Sequence, residues 1–334
     1  MKITDLTAPA ARRSAAGLLA LVALGCSNAG GDLGFEPLGS GTVAAFIYVD
    51  RNGDGLPTQG GVDTAFAGVR LGLVVTGTTD TVFSAATDAL GNVTFSNVPF
   101  GSYRLVVDSN TVADSIQIQA IDSGNVRLRA DAQQALVSVR LGFPSLTIAE
   151  ARTASAGLKV FVSGVILSGI PTFGDTTAHI TQNGVAIRLT KGSYGGPAAQ
   201  PGDSVRVSGT VSSRAGQPVL ENALIIVFQI GLPAPVATPL STLLAGNADT
   251  TAQDAALVEL TGAIITDTST VGADYHVTVD DGTLPVIMVL DGDSNFLRAQ
   301  FDIGKSVTGK GLLVPTGTGT WIFKPRIQGD VTIT

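Results

Sequence analysis

The chain has 334 residues, 44% of them hydrophobic and only 14% charged, with 41 glycines, a single cysteine and a formal net charge of -7. That length has room for two or three domains at ~100–200 residues each, and one cysteine excludes an intrachain disulfide framework. Lys plus Arg against Asp plus Glu stand at 6 to 9 over residues 41–142, 6 to 4 over 145–230 and 5 to 11 over 236–334. A strong basic face for a phosphate backbone is therefore excluded, with the middle segment the one weak candidate.

The N-terminus opens with Lys2, Arg12 and Arg13 ahead of the apolar run 15–24. Residues 1–25 have the build of a signal peptide, and the run is shorter than the ~20 apolar residues of a membrane-spanning helix. It ends in Ala23-Leu24-Gly25-Cys26-Ser27-Asn28, which resembles a bacterial lipobox. The resemblance implies cleavage before Cys26, lipidation of its thiol and attachment to a membrane. Ser27 and Asn28 lack the acidic residue that often keeps such proteins at the inner membrane, so the outer membrane or cell surface is the expected address. Glycine-rich residues 26–40 read as a tether.

Beyond it, Val, Ile and Thr recur in short runs separated by Gly, Asp, Asn or Pro, a pattern of many strands and tight turns. The expected class is all-β. The first module, 41–142, begins with a strand over 42–49 that runs into Asp50-Arg51-Asn52-Gly53-Asp54-Gly55. The spacing D-x-N-x-D-G sets hard oxygen donors around a tight turn, which suits Ca²⁺; Asp50, Asn52 and Asp54 are the expected ligands, with Asp63 a further one. The alternative is a plain Asx-turn. Loop position 12, the bidentate Glu of an EF-hand, is Gly61 here, so only half of that motif is present. A bound ion would stiffen the loop.

Gly68-Val69-Arg70-Leu71, Thr87-Asp88-Ala89-Leu90-Gly91 and Pro99-Phe100-Gly101-Ser102-Tyr103 follow in order. As an ordered set they resemble the B-type repeat of bacterial surface adhesins and, more broadly, the Ig- or prealbumin-like (carboxypeptidase-regulatory-like) sandwich. Alternating apolar positions over 116–141 are expected to complete its sheet.

Residues 145–230 and 236–334 run in parallel. A Thr147-Ile148-Ala149-Glu150 capping box starts a short helix, and a second helix is expected at 239–244 behind Pro239. Strands 160–167 and 256–265 follow. Gly164 and Gly262 are 98 residues apart, and Gly202 and Gly304 are 102 apart, each of the latter opening a G-x-x-V-x-x-x-G strand. An ordered repeat of this kind indicates duplication. Both copies resemble the OB-fold-like modules that accompany extracellular bacterial nucleases, through Leu146-Thr147-Ile148-Ala149-Glu150-Ala151-Arg152, the strand from Gly202 and the closing Lys324-Pro325-Arg326. The resemblance implies two five-stranded barrels, a fold that hosts oligonucleotide or oligosaccharide ligands.

In the first copy, Arg188, Lys191 and Tyr194 stand on or near an expected exposed loop and are the candidate ligand-binding residues, whereas Phe161 and Phe228 lie in apolar strands and are expected in the core. In the second, Trp321, Lys324 and Arg326 are expected to form a cation–π cluster. His179 and His276 fall in strands, one per copy, and no nucleophile elbow, P-loop or dinucleotide fingerprint is present. The expected function is that of a non-catalytic, exported surface lipoprotein acting in adhesion, scaffolding or ligand binding, with an extracellular protein or glycan partner. The alternative is a nucleic-acid- or glycan-binding accessory protein working through the OB-like domains.

Overall fold

The computed structural model describes residues 39–57, 63–248, 253–317 and 319–334. The leader, Cys26 and position 61 lie outside these residues. The protein is all-β, with a two-sheet unit followed by two sheets that each close on themselves.

The first unit carries β1 (Ser40–Val49), β2 (Thr64–Ala65), β3 (Arg70–Val75), β4 (Thr81–Ala86), β5 (Asn92–Pro99), β6 (Gly101–Val107), β7 (Gln117–Asp122), β8 (Asn125–Leu128) and β9 (Gln134–Gly142). One sheet runs β2-β1-β9-β7 with β5 also on β1, and the other runs β4-β3-β6-β8. β1 and β9 pair in parallel from Thr42 opposite Gln134 to Val49 opposite Leu141. Between the sheets lies a core of Val43, Ile47, Leu71, Leu73, Phe95, Leu105, Leu128 and Val139. These come from alternate positions of their strands, as period-two side-chain geometry requires. Strands β7 to β9 complete the sandwich, as the alternation over 116–141 predicts.

The second unit holds β10 (Lys159–Ser168), β11 (Ala178–Gln182), β12 (Val185–Thr190), β13 (Ser193–Tyr194), β14 (Ser204–Arg214) and β15 (Gln217–Gln229). The order β12-β11-β10-β14-β15 closes because β12 also pairs with β15. The third holds β16 (Thr238–Pro239), β17 (Leu257–Val271), β18 (Asp274–Asp280), β19 (Val286–Leu290), β20 (Ser306–Gly317), β21 (Thr320–Lys324) and β22 (Val331–Ile333). It closes in the same way through β17-β18-β19-β21-β20 and back to β17. Closure removes the open strand edges that would otherwise pair with other chains.

The duplication extends to single hydrogen bonds. Gly202 N–H donates to Ile166 and Ile166 N–H to Asp203, while Gly304 N–H donates to Ile265 and Ile265 N–H to Lys305. Gly202 and Gly304 adopt φ of 98° and 89°, a left-handed turn that glycine makes without steric cost. The Thr147 capping box is formed, with helix Ile148–Thr153 behind it. The second helix is Thr242–Gly246 rather than 239–244. Ser241 is its N-cap, and Pro239 is drawn into β16, where its missing N–H costs no ladder bond.

Candidate functional site

The 50–55 loop is held by its own side chains. Asp50 is 4% exposed. Its Oδ1 accepts the Gly53 N–H at 2.5 Å and its Oδ2 accepts the Gly55 N–H at 3.0 Å. Asn52 Oδ1 accepts from Asp54 N–H, and Asp54 Oδ1 accepts from Leu56 N–H. Asp63, twelve residues on, accepts the Arg51 N–H at 2.8 Å. Asp50, Asp54 and Asp63 thereby converge, one carboxylate oxygen of each lying within 4.8 Å of the others. Burial pushes the Asp50 carboxyl above its ordinary range; the Gly55 and Gly53 N–H groups oppose that rise, while Asp63 and Asp54 add to it. Each carboxylate oxygen keeps a lone pair after its loop hydrogen bond, so the donor set is chemically suited to a hard cation. Asn52 braces the group, its Nδ2 donating to Asp54 Oδ2 at 2.8 Å.

The three residues expected to bind a ligand in the second unit have three separate sets of partners. Arg188 stands opposite His179 across the β11–β12 pair, and burial lowers the pKa of its guanidinium. Lys191 reaches Glu221 at 3.7 Å, a carboxylate that Arg214 already holds at 2.5 Å. The 191–196 stretch is not a free loop, because Ser193 and Tyr194 pair with β15. Tyr194 Oη accepts the Ile170 N–H at 2.8 Å, which pins the 170 loop to the barrel.

Other expectations are corrected by tertiary packing. Phe228 is 62% exposed at the far end of β15, whereas Phe161 is buried as expected. Lys324 stacks on Phe173 of the second unit, 4.5 Å from the ring centroid, rather than on Trp321, and pairs with Asp291 at 2.5 Å. Arg326 forms a forked pair with Asp330 at 2.8 and 2.9 Å.

Sequence reading missed a Ser–His contact. Ser168 Oγ and His179 Nδ1 lie 2.9 Å apart. Both residues are sealed in, at 0% and 1% exposure. Burial, then Arg188 and Lys324, hold the imidazole well below its ordinary pKa. Nothing local marks this pair, since eleven residues separate its members.

Also missed was how the units join. At the first junction Arg206 Nη1 donates to the Gly53 carbonyl, Phe143 packs on Phe161 at 5.5 Å, and Phe161 exchanges backbone hydrogen bonds with Pro144 and Leu146. At the second, Arg152 pairs with Asp254 at 2.5 Å, Arg326 Nη1 donates to the Leu167 carbonyl at 2.8 Å, and Ser294 Oγ donates to the Thr172 carbonyl at 3.3 Å. Leu167, Phe173 and Ala186 of the second unit belong to the third unit's core.

No family model matches the chain, and no curated protein matches it. Among solved structures it is similar over 52% of its length to a murine DNA binding protein bound with double-stranded DNA, at 8% identity, 94% coverage of that chain and a TM-score of 0.25. It is also similar to tetrameric p202 HIN2, at 12% identity over 52% of this chain and 92% of that one, TM-score 0.24. A third is full-length RrgB pilus protein from Streptococcus pneumoniae, at 11% identity over 52% of this chain and 32% of that one, TM-score 0.26. Likenesses this loose carry no argument about ligand or partner.

Proposed function

We propose that the protein is a non-catalytic, exported surface lipoprotein that acts as a stiff scaffold in adhesion, anchored through Cys26 and with its first unit braced by Ca²⁺ on Asp50, Asp54 and Asp63, which Asn52 supports. The observation that supports this reading is the pair of interlocked junctions. The connection at 143–147 is tied by backbone hydrogen bonds and a ring pair. The connection at 230–237 is held at its start by the Gly231 N–H to Asp203 bond at 3.1 Å. Linkers that merely tether domains are polar and make few contacts; these are bonded to the units they join, which suits a part that must hold shape under load. Ca²⁺ would add a hard cation where three carboxylates converge and so tie residues 50–55 to Asp63, next to the first junction.

Protease treatment of intact cells, together with acyl labelling of the wild type and of Cys26→Ala, tests the reading. A surface-exposed chain whose label vanishes in the variant is the expected result. A chain that resists protease on intact cells, or keeps its label in the variant, refutes it.

A further inference from the structure

Two clefts flank the Phe143–Phe161 pair. One, of about 300 Å³, is lined by Arg140 of the first unit and Arg206 of the second, with Gln119 and Ser145. The other, of about 470 Å³, is lined by Arg51 and Lys159, with Ser208, Thr210 and Asn222. Away from the clefts, Arg152, Arg214, Lys324 and Arg326 each meet a carboxylate, whereas Arg70, Arg104 and Lys310 stand singly among the described residues. Among the described residues, the four cleft cations have no carboxylate within 4 Å. Arg140 Nε is buried without a hydrogen-bond partner, and Arg206 meets only a backbone carbonyl. Asp50 also lines the first cleft, and its two oxygens accept from the Gly53 and Gly55 N–H groups rather than from a cleft cation. In a chain of net charge -7, unpaired cations gathered in concave surface focus a positive potential there.

We propose that these clefts form one binding site for an acidic oligosaccharide, its carboxylate or sulfate groups taken by Arg140 and Arg206 on one side and by Arg51 and Lys159 on the other. Size argues for an oligomer. Lys159 lies opposite Thr210, and Arg206 opposite Ser163; four residues of strand separate them, or ~13 Å at ~3.3 Å per residue. A single anion cannot reach both, whereas a chain that repeats its charges can. The remaining lining suits sugar: serine and threonine hydroxyls and the amides of Gln119 and Asn222 can both donate and accept. Single-stranded nucleic acid would need aromatic faces beside the cations, and Phe143 and Phe161 are buried at 6% and 7% exposure.

The site is tested on the full chain by fluorescence anisotropy, with labelled oligogalacturonate and heparin-derived oligosaccharides as probes. Neutral malto-oligosaccharide and oligothymidylate serve as comparators. Expected is saturable binding of at least one acidic sugar that weakens as salt rises, and no binding of the neutral one. Arg51→Gln and Lys159→Gln each weaken it by about tenfold, the loss of one charge-assisted hydrogen bond, while Lys310→Gln on the third unit leaves it unchanged. Both cleft substitutions fall on exposed side chains, and unchanged melting curves confirm that the fold is kept. Three results overturn the proposal: no binding of either acidic sugar, binding that survives the double substitution, or oligothymidylate binding more tightly than both. Such a failure leaves the scaffold reading standing, since that rests on the junctions and on Cys26.

Discussion

Substituting Arg326 by alanine removes a guanidinium that ties the two barrels. It is forked onto Asp330 with both side chains largely buried, 13% and 8% exposed, and its third nitrogen reaches Leu167 of the neighbouring barrel. Removing one partner strands the other charge away from water, which costs about 3–5 kcal/mol. The apolar core is shared across the junction, so residues 145–334 are expected to unfold as one cooperative unit. For a unit of that size each kcal/mol moves the midpoint by ~2–4 °C, and the expected drop is roughly 6–20 °C. Differential scanning calorimetry reads both quantities. Arg326→Ala should lower the midpoint and separate the single transition into two. Asp330→Ala combined with it should recover part of the loss, since the stranded charge goes too. A shift below ~2 °C in the single variant, or two transitions already in the wild type, would refute the reasoning.

Three further outcomes follow from particular contacts. Added Ca²⁺ should raise the melting temperature, by about 2.7 kcal/mol of stability at a hundredfold excess over its dissociation constant, and Asp54→Ala should abolish the shift. Because the Asp50 carboxyl is raised, the ion-free protein should lose stability as pH rises through the carboxylate range, and the cation should reverse that loss; a melting curve indifferent to EDTA counts against the site. His179 is depressed, so its contribution is complete above its unfolded pKa of ~6.5 and drains as pH falls toward the folded value, by at most ~1.4 kcal/mol per pH unit. Urea unfolding across that window should show the slope, and His179→Asn should remove it; equal slopes would contradict the assignment. Tyr194→Phe strands the Ile170 N–H and should cost about 1–3 kcal/mol in a denaturant titration, with no loss pointing to a free tyrosine.

The amino-acid sequence by itself determined the local features. Strand alternation, the carboxylate spacing from Asp50 to Asp54, the Thr147 capping box and the paired glycines at 202 and 304 are each read within a few residues, where backbone geometry alone dictates the outcome. That is why the all-β class and the duplicated order were legible before any coordinates. Tertiary structure decided which side chains meet at a distance. Phe161 and Phe228 sit in equally apolar strands, yet only Phe161 finds a second unit, through Phe143, to cover it. Lys324 is separated from Phe173 by more of the chain than any periodicity spans, while strand alternation puts it on the face of β21 opposite Trp321. Likewise the junction cations lie on β9, β10, β14 and the 50–55 loop, and no spacing along the chain marks them as neighbours. Their convergence follows from how the surfaces of two units dock, which depends on shape and charge summed over both.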